Sequence, residues 1–158
     1  MKRKEVFIVV LLLTAIAGGC TGQSAVQEEE NDQLAEALLR EWQAAIEALD
    51  LERTMTFYAG DAVYEDPAQI GTAYPAVMTG YEIKGLYESL YSLPEVSFEF
   101  TSSFVSADGS KAVAEWVWRG GSSPDVEYAI RGVSLLEIQD GKITREVIIY
   151  DSRNSPYQ

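Results

Sequence analysis

Two acidic residues lie close to aromatic ones in a pattern that could support proton transfer. Asp66 precedes Pro67 and lies two positions after Tyr64, whose hydroxyl could share a proton with it or hold a water molecule. Glu146 lies on an alternating apolar segment that ends near Tyr150. A carboxyl group buried among aromatic rings loses its hydration, which raises its pKa towards the value a general acid or base needs. Asp66 and Glu146 are therefore the candidate catalytic residues.

Each carboxylate also has a purely structural interpretation. An Asp before a proline often caps a turn through bonds to its own backbone. A Glu near the end of a strand commonly reaches solvent or pairs with a neighbouring cation, here Arg145 or Arg131. For Asp66 the sequence leaves both interpretations open, and for Glu146 the exposed or paired role is the commoner one.

The composition excludes several kinds of site. The chain has no histidine, which is the commonest general base and transition-metal ligand, and it has one cysteine, Cys20. It also lacks the spaced aspartates of an EF-hand loop. We therefore expect no metal site and no cofactor. The formal net charge of −13 disfavours binding to nucleic acid, because the phosphates would be repelled.

The N-terminal segment has the features of an export signal. Three basic residues at positions 2–4 precede an apolar run, Val6–Ala17, which is short for a bilayer span. Small residues and then Cys20 follow, and this arrangement resembles the lipobox of bacterial-type lipoproteins. We expect residues 1–19 to be removed and Cys20 to be lipidated, which anchors the protein on the extracytoplasmic side of a membrane in the cell envelope. The alternative is an ordinary cleavable signal or an uncleaved anchor.

The rest of the chain is predicted to form one α+β domain at 32–151, after a flexible tether at 20–31 and before a polar tail at 152–158. Apolar residues at helical spacing alternate along the chain with segments of period two, which are typical of strands. Asp140-Gly141 is a hairpin turn signal. The predicted elements are helix 32–49, helix 51–58, strand 61–67, an irregular loop 68–79, helix 80–93, and antiparallel strands at 95–107, 111–119, 126–138 and 143–151.

The last strands define a pocket. Alternate residues share one face of a sheet, and this face carries large aromatic side chains such as Trp116 and Trp118. A curved sheet wrapped over helices encloses a cone, and such cones often hold ligands. The alternative is that the tryptophans fill a core. The candidate ligand-binding residues are Tyr64, Trp116, Trp118, Tyr128, Ile148 and Tyr150.

A series of short motifs runs through the domain in a characteristic order. They are Ala48–Asp50, Gly60–Pro67, Gly80–Ile83, Glu115–Trp118, Arg131–Ser134, Asp140–Ile143 and the final Tyr150-Asp151. Over residues 32–151 their order and spacing resemble the SnoaL-like branch of the nuclear transport factor 2 (NTF2) superfamily. That branch includes polyketide cyclases and limonene epoxide hydrolase, and ketosteroid isomerase is a more distant relative. The resemblance implies a cone formed by a curved antiparallel sheet over N-terminal helices.

The resemblance also implies where catalytic groups would lie, and most are missing. The hydrolase and cyclase relatives have an essential Asp at the position of Ile148. The epoxide hydrolase has an Arg and an Asp where this chain has Ala114 and Trp116. Tyr64 and Asp66 do match a Tyr and an Asn that position its attacking water.

These observations support three hypotheses about function. The leading one is a membrane-anchored domain that binds a small apolar or amphipathic ligand and is not an enzyme of the usual family mechanism. The second is a cyclase-, isomerase- or hydrolase-type enzyme that uses Asp66 or Glu146. The third is an assembly module that forms a homodimer through the outer face of its sheet.

Overall fold

The computed structural model describes residues 21–67, 76–123 and 126–151, with side chains for 31–67, 76–120 and 129–151. The predicted signal peptide, Cys20 and the tail at 152–158 lie outside this part of the chain. The elements are α1 (Thr21–Glu47), α2 (Leu51–Met55), β1 (Tyr58–Glu65), β2 (Val77–Thr79), α3 (Tyr81–Tyr91), β3 (Ser97–Val105), β4 (Lys111–Ser123), β5 (Val126–Gln139) and β6 (Lys142–Tyr150).

A six-stranded curved sheet forms the body of the domain, with strand order β2-β1-β6-β5-β4-β3. The four strands β3 to β6 form the predicted antiparallel meander, and the turn between β5 and β6 has positive φ at both Asp140 (51°) and Gly141 (68°), as a tight hairpin requires. The α+β fold class is confirmed. One strand pair was not anticipated, since β1 runs parallel to β6.

Several elements differ from the prediction in their bounds or kind. The helix α1 begins at Thr21, so residues 21–31 are helical instead of a flexible tether. Five of these eleven residues are glutamine or glutamate, which favour helices. The helix α2 ends at Met55, because Tyr58 already belongs to β1. Within the predicted loop at 68–79, the strand β2 pairs with β1. Asp50 caps α2, since its carboxylate accepts the N–H of Arg53 at 3.0 Å.

The core lies between the helices and the inner face of the sheet. Trp42 of α1 is 1% exposed, and its ring packs against Phe100 of β3 with centroids 5.3 Å apart. The predicted alternation along β4 and β5 is confirmed, since Ala114, Trp116, Trp118, Ile130 and Ser134 are all buried on the inner face.

The outer face of the sheet carries apolar side chains at its centre. Leu135 of β5 and Ile149 of β6 are 38% and 56% exposed there. A homodimer through this face stays a prediction. In the described part of the chain, neither α1 nor any other helix is long and apolar enough to cross a membrane.

Candidate functional site

A cavity of about 220 Å³ lies between α1, α3 and the inner face of the sheet. Its walls are mostly aromatic and aliphatic, and all three tryptophans of the chain line it. Two carboxyl groups, those of Asp66 and Glu146, are also in the lining. The residues that line the cavity are Trp42, Ile46, Tyr64, Asp66, Met78, Leu86, Tyr87, Ser89, Leu90, Phe98, Phe100, Trp116, Trp118, Ile130, Ser134, Glu146, Ile148 and Tyr150.

Five of the six predicted ligand-binding residues lie in this wall, and the side chain of the sixth, Tyr128, lies outside the described residues. Both predicted catalytic residues are there as well. The structure therefore brings these side chains to one cavity, while their roles in binding and catalysis stay predictions. The five are Tyr64, Trp116, Trp118, Ile148 and Tyr150.

The indole of Trp116 can lie over the backbone of β5 because its neighbour there is a glycine, Gly132. Trp116 and Gly132 are paired across β4 and β5. A Cβ atom added to Gly132 would lie 2.3 Å from both Cη2 and Cζ2 of Trp116. Tyr150 pairs with Gly132 from the other side, and its ring centroid is 6.3 Å from that of Trp116. The missing side chain at Gly132 thus leaves room for two rings without filling the cavity.

Glu146 is the centre of a buried hydrogen-bond network. Its side chain is 1% exposed, so the exposed or arginine-paired role expected for it is wrong. Arg145 instead pairs with Glu65 at 2.7 Å and with Glu137 at 2.9 Å. The alternation along β6 turns Glu146 inward and its neighbour away from the cavity.

The carboxylate of Glu146 accepts hydrogen bonds on both oxygens. Ser134 Oγ donates to Oε1 at 2.7 Å. The same Ser134 Oγ accepts a hydrogen bond from the indole N–H of Trp116 at 3.0 Å. Tyr58 Oη donates to Oε2 through a short hydrogen bond and accepts the N–H of Trp42 at 3.3 Å. Tyr87 Oη lies 2.8 Å from Tyr58 Oη and 3.5 Å from Oε2. Two chains of uncharged hydrogen-bonding groups therefore end at Glu146: the Ser134 arm, from Trp116 through Ser134 to Oε1, and the Tyr58 arm, from Trp42 and Tyr87 through Tyr58 to Oε2.

Burial controls the protonation of this network. Desolvation raises the pKa of Glu146, and the hydrogen bonds from Tyr58, Ser134 and Tyr87 only partly oppose it. Desolvation and the charge of Glu146 likewise raise the pKa values of Tyr58 and Tyr87 well above that of an ordinary tyrosine. The pKa of Tyr91, which is less buried, is raised to about 12, mainly by desolvation. The hydroxyls therefore stay protonated, and Glu146 is the group in the network whose charge can change, at a pH above the ordinary carboxyl range.

Asp66 lies in the same wall at the end of β1. It is 6% exposed, and Tyr150 Oη donates to its Oδ2 at 3.1 Å. Its backbone N–H donates to the carbonyl of Ala76 at 2.8 Å. After desolvation and the charge of Glu146, the charge of Asp66 is a further cause that raises the pKa of Tyr64. Tyr64 and Asp66 thus line the same cavity, while a proton or water shared between them stays a prediction.

Several residues of the site were missed by sequence reasoning. Tyr58 had been placed at the end of a helix, although its period-two spacing with Ala62 and Tyr64, all buried, was a strand signal. Tyr87 lies within the predicted helix 80–93, where its helical spacing gave no sign of a polar role, and Ser134 gave no signal because its importance depends on its contact with Glu146 of the neighbouring strand. Within the ranges that the structure describes, no group of three or more Cys, Asp or Glu side chains could hold a metal ion.

Comparisons with known proteins agree with this architecture. Residues 39–146 match the family described as the SnoaL-like domain. No protein among the curated sequences is significantly similar to the chain. One similar solved structure is that of a hypothetical protein with a ketosteroid isomerase-like fold from Catenulispora acidiphila, in complex with trimethylamine. It is 25% identical in sequence and has a TM-score of 0.60, and the match covers 74% of this chain and 87% of that chain. An NTF2-like protein of unknown function from Mesorhizobium loti is 20% identical, with a TM-score of 0.62 over 77% and 93% of the two chains.

Proposed function

The chain belongs to the SnoaL-like domain family, and on that premise we propose that it binds a small, largely apolar organic molecule in the cavity. The observation that carries this proposal is the cavity itself, which has mostly apolar walls and about 220 Å³ of free volume. Pockets for drug-sized ligands measure about 300–1,000 Å³, and an engineered cavity of about 150 Å³ holds benzene. The volume therefore favours a ligand with one or two rings.

The relative from Catenulispora acidiphila supports this proposal. That protein was solved in complex with trimethylamine, a small organic molecule, and it is 25% identical to this chain. The present cavity has aromatic walls and two carboxyl groups, which suits a ligand that is apolar over most of its surface and polar at one end.

The place of action is also part of the proposal. The basic N-terminus, the apolar run Val6–Ala17 and the following Cys20 support a lipid anchor on the extracytoplasmic side of a membrane. A net charge of −13 gives little attraction to anionic headgroups, so the lipid would supply the attachment. The domain would then meet ligands that cross or leave that membrane.

Tryptophan fluorescence tests binding directly, because all three tryptophans line the cavity. We expect one- and two-ring terpenoids and aromatic ketones to cause saturable quenching of the purified protein. Trp116→Phe should remove much of this quenching, because its indole lies over Gly132 in the wall. The control is Glu115→Gln, an exposed position on the same strand, which should behave like the wild type. Flat titrations across the panel would contradict the proposal.

A second candidate function, proton transfer to or from the ligand, is favoured by Glu146. A buried carboxyl group with a raised pKa is what a general acid or base requires, and Glu146 lies in the cavity wall. Asp66, bonded to Tyr150, is the other acid in the lining. The reaction would be an isomerisation, cyclisation or hydrolysis of the bound molecule.

Amide substitutions separate this enzyme from a binding protein. If the protein turns over a ligand found by titration, Glu146→Gln should lower the rate by about a hundredfold or more and keep the affinity within a few fold. Asp66→Asn serves as the parallel variant, which shows which of the two acids is used. Turnover that both variants leave intact would rule out both assignments.

A further inference from the structure

The hydrogen bonds around Glu146 have a direction that two tryptophans fix. An indole N–H can only donate, so Ser134 Oγ must accept from Trp116 at 3.0 Å. Among the described residues, the hydroxyl proton of Ser134 has Glu146 Oε1 as its acceptor, at 2.7 Å. A proton on Oε1 would leave that buried hydroxyl without an acceptor. When Glu146 is neutral, its proton therefore lies on Oε2, which faces Tyr58.

The Tyr58 arm can run in either of two directions. With Glu146 ionised, Tyr58 donates to Oε2, and Tyr87 donates to Tyr58 over 2.8 Å. With Glu146 neutral, Oε2 donates to Tyr58, which also accepts from Trp42. Each phenol has one proton, so Tyr58 must then donate to Tyr87. One protonation event thus reverses two hydrogen bonds.

The reversed hydrogen bond between Tyr58 and Tyr87 changes what the Tyr87 hydroxyl offers to the cavity. Its side chain lines the cavity, and in the described part of the chain its hydroxyl has only Tyr58 and Glu146 as hydrogen-bond partners. When Tyr58 donates to it, the proton of Tyr87 has only the distant Oε2 of the neutral acid, 3.5 Å away, as an acceptor on the protein, and a ligand acceptor in the cavity can take it instead. When Tyr87 donates to Tyr58, only its lone pairs are left for the ligand.

We propose that Tyr87 determines ligand specificity: it offers the ligand a hydrogen-bond donor when Glu146 is neutral and an acceptor when Glu146 is ionised. The cavity then prefers a carbonyl compound in the neutral state and the corresponding alcohol in the ionised state. This inference rests on the proposed binding function. A mismatched partner leaves a buried polar group unpaired, which corresponds to a preference of about tenfold.

Other titratable groups near the network do not account for such a switch. Tyr58 and Tyr64 on β1 and Tyr91 on α3 have raised pKa values, so they stay neutral in the acidic and neutral range. Tyr150 is bonded to Asp66, the second carboxyl of the lining. Any titration of Asp66 survives in Glu146→Gln, and this variant therefore separates the two acids.

The binding test compares camphor with borneol, a ketone and its alcohol on one two-ring skeleton. Dissociation constants of the full chain are measured by tryptophan quenching from acid to neutral pH. We expect the preference to change by about tenfold, from camphor at low pH to borneol at higher pH, with a midpoint above the ordinary carboxyl value of about 4.3. Glu146→Gln should prefer camphor at every pH, because its carbonyl must accept from Ser134 and its amide must donate to Tyr58. In Tyr87→Phe, the ratio of the dissociation constants for camphor and borneol should not vary with pH.

A measurement without ligand keeps the inference separate from the proposed function. In ¹³C NMR of the full chain, the Tyr87 Cζ resonance should titrate together with the Glu146 Cδ resonance. In Tyr58→Phe, which keeps the ring and removes the connecting hydroxyl, the change in the Tyr87 resonance over the Glu146 titration should become much smaller, and the remainder reports the direct contact of Tyr87 Oη with Oε2 at 3.5 Å. A Tyr87 resonance that ignores the Glu146 titration would overturn the inference whether or not either probe binds. Binding of both probes with a constant ratio would overturn it and leave the binding proposal intact.

Discussion

Replacing Gly132 by alanine is expected to lower ligand affinity by about tenfold to a hundredfold. The new Cβ would lie 2.3 Å from two ring atoms of Trp116, a distance that no packed structure tolerates. The indole cannot slide along the sheet towards Tyr150, whose ring is already 6.3 Å away. It must therefore rise from the sheet into the cavity, where it occupies the ligand's space.

The same displacement breaks the hydrogen bond that the indole N–H of Trp116 donates to Ser134 Oγ. That bond orients the Ser134 hydroxyl towards Glu146. Overpacking of this kind destabilises a domain by about 1–3 kcal/mol, which a folded protein of ordinary stability survives. Fluorescence titration and urea unfolding of the same sample measure both effects. Gly60→Ala is the matched control, because a Cβ there has nothing within 4 Å. Native affinity in Gly132→Ala would show that the indole is not part of the binding wall.

Replacing Trp42 by alanine is expected to lower the free energy of unfolding by about 3–5 kcal/mol. Trp42 is 1% exposed and packs on Phe100, so its removal opens a large hole between α1 and the sheet. It also removes the N–H that Tyr58 accepts at 3.3 Å. Leu38, Leu39 and Ile46 of α1 are also buried, so the helix keeps part of its contact with the core.

Urea unfolding followed by circular dichroism measures this loss. Trp42→Phe should cost much less, since it keeps an aromatic ring and loses only the indole N–H and some volume. Arg40→Ala, two residues away with a side chain 71% exposed, is the surface control and should change stability by less than about 0.5 kcal/mol. A cost near that of the surface control for Trp42→Ala would mean that α1 is held by other contacts.

The sequence was most informative where a pattern repeats over short distances. Trp116 and Trp118 are two residues apart, and the resulting face of β4 could be read directly and is confirmed. Tyr58 was misassigned because the helical pattern of LERTMTF runs into it without a break, so the local signal for a helix outweighed that for a strand.

Features that depend on distant partners could not be read in this way. Glu146 looks like an ordinary strand-end acid, and its burial is possible only because Tyr58 and Ser134 supply donors from two other strands. The importance of Gly132 depends on the register that places Trp116 opposite it. Neither the parallel pairing of β1 with β6 nor the register of the meander is encoded in a nearby motif.

The position of β1 in the sheet has a consequence for how the protein folds. This strand joins the meander only through β6, which comes last among the described strands, and Tyr58 and Glu146 are 88 residues apart in the chain. Closing so long a loop is entropically costly, and contacts between distant residues slow folding. We therefore expect the cavity to form late, after β6 has docked, because a nascent chain that lacks β6 has neither the buried acid nor the strand that pairs with β1.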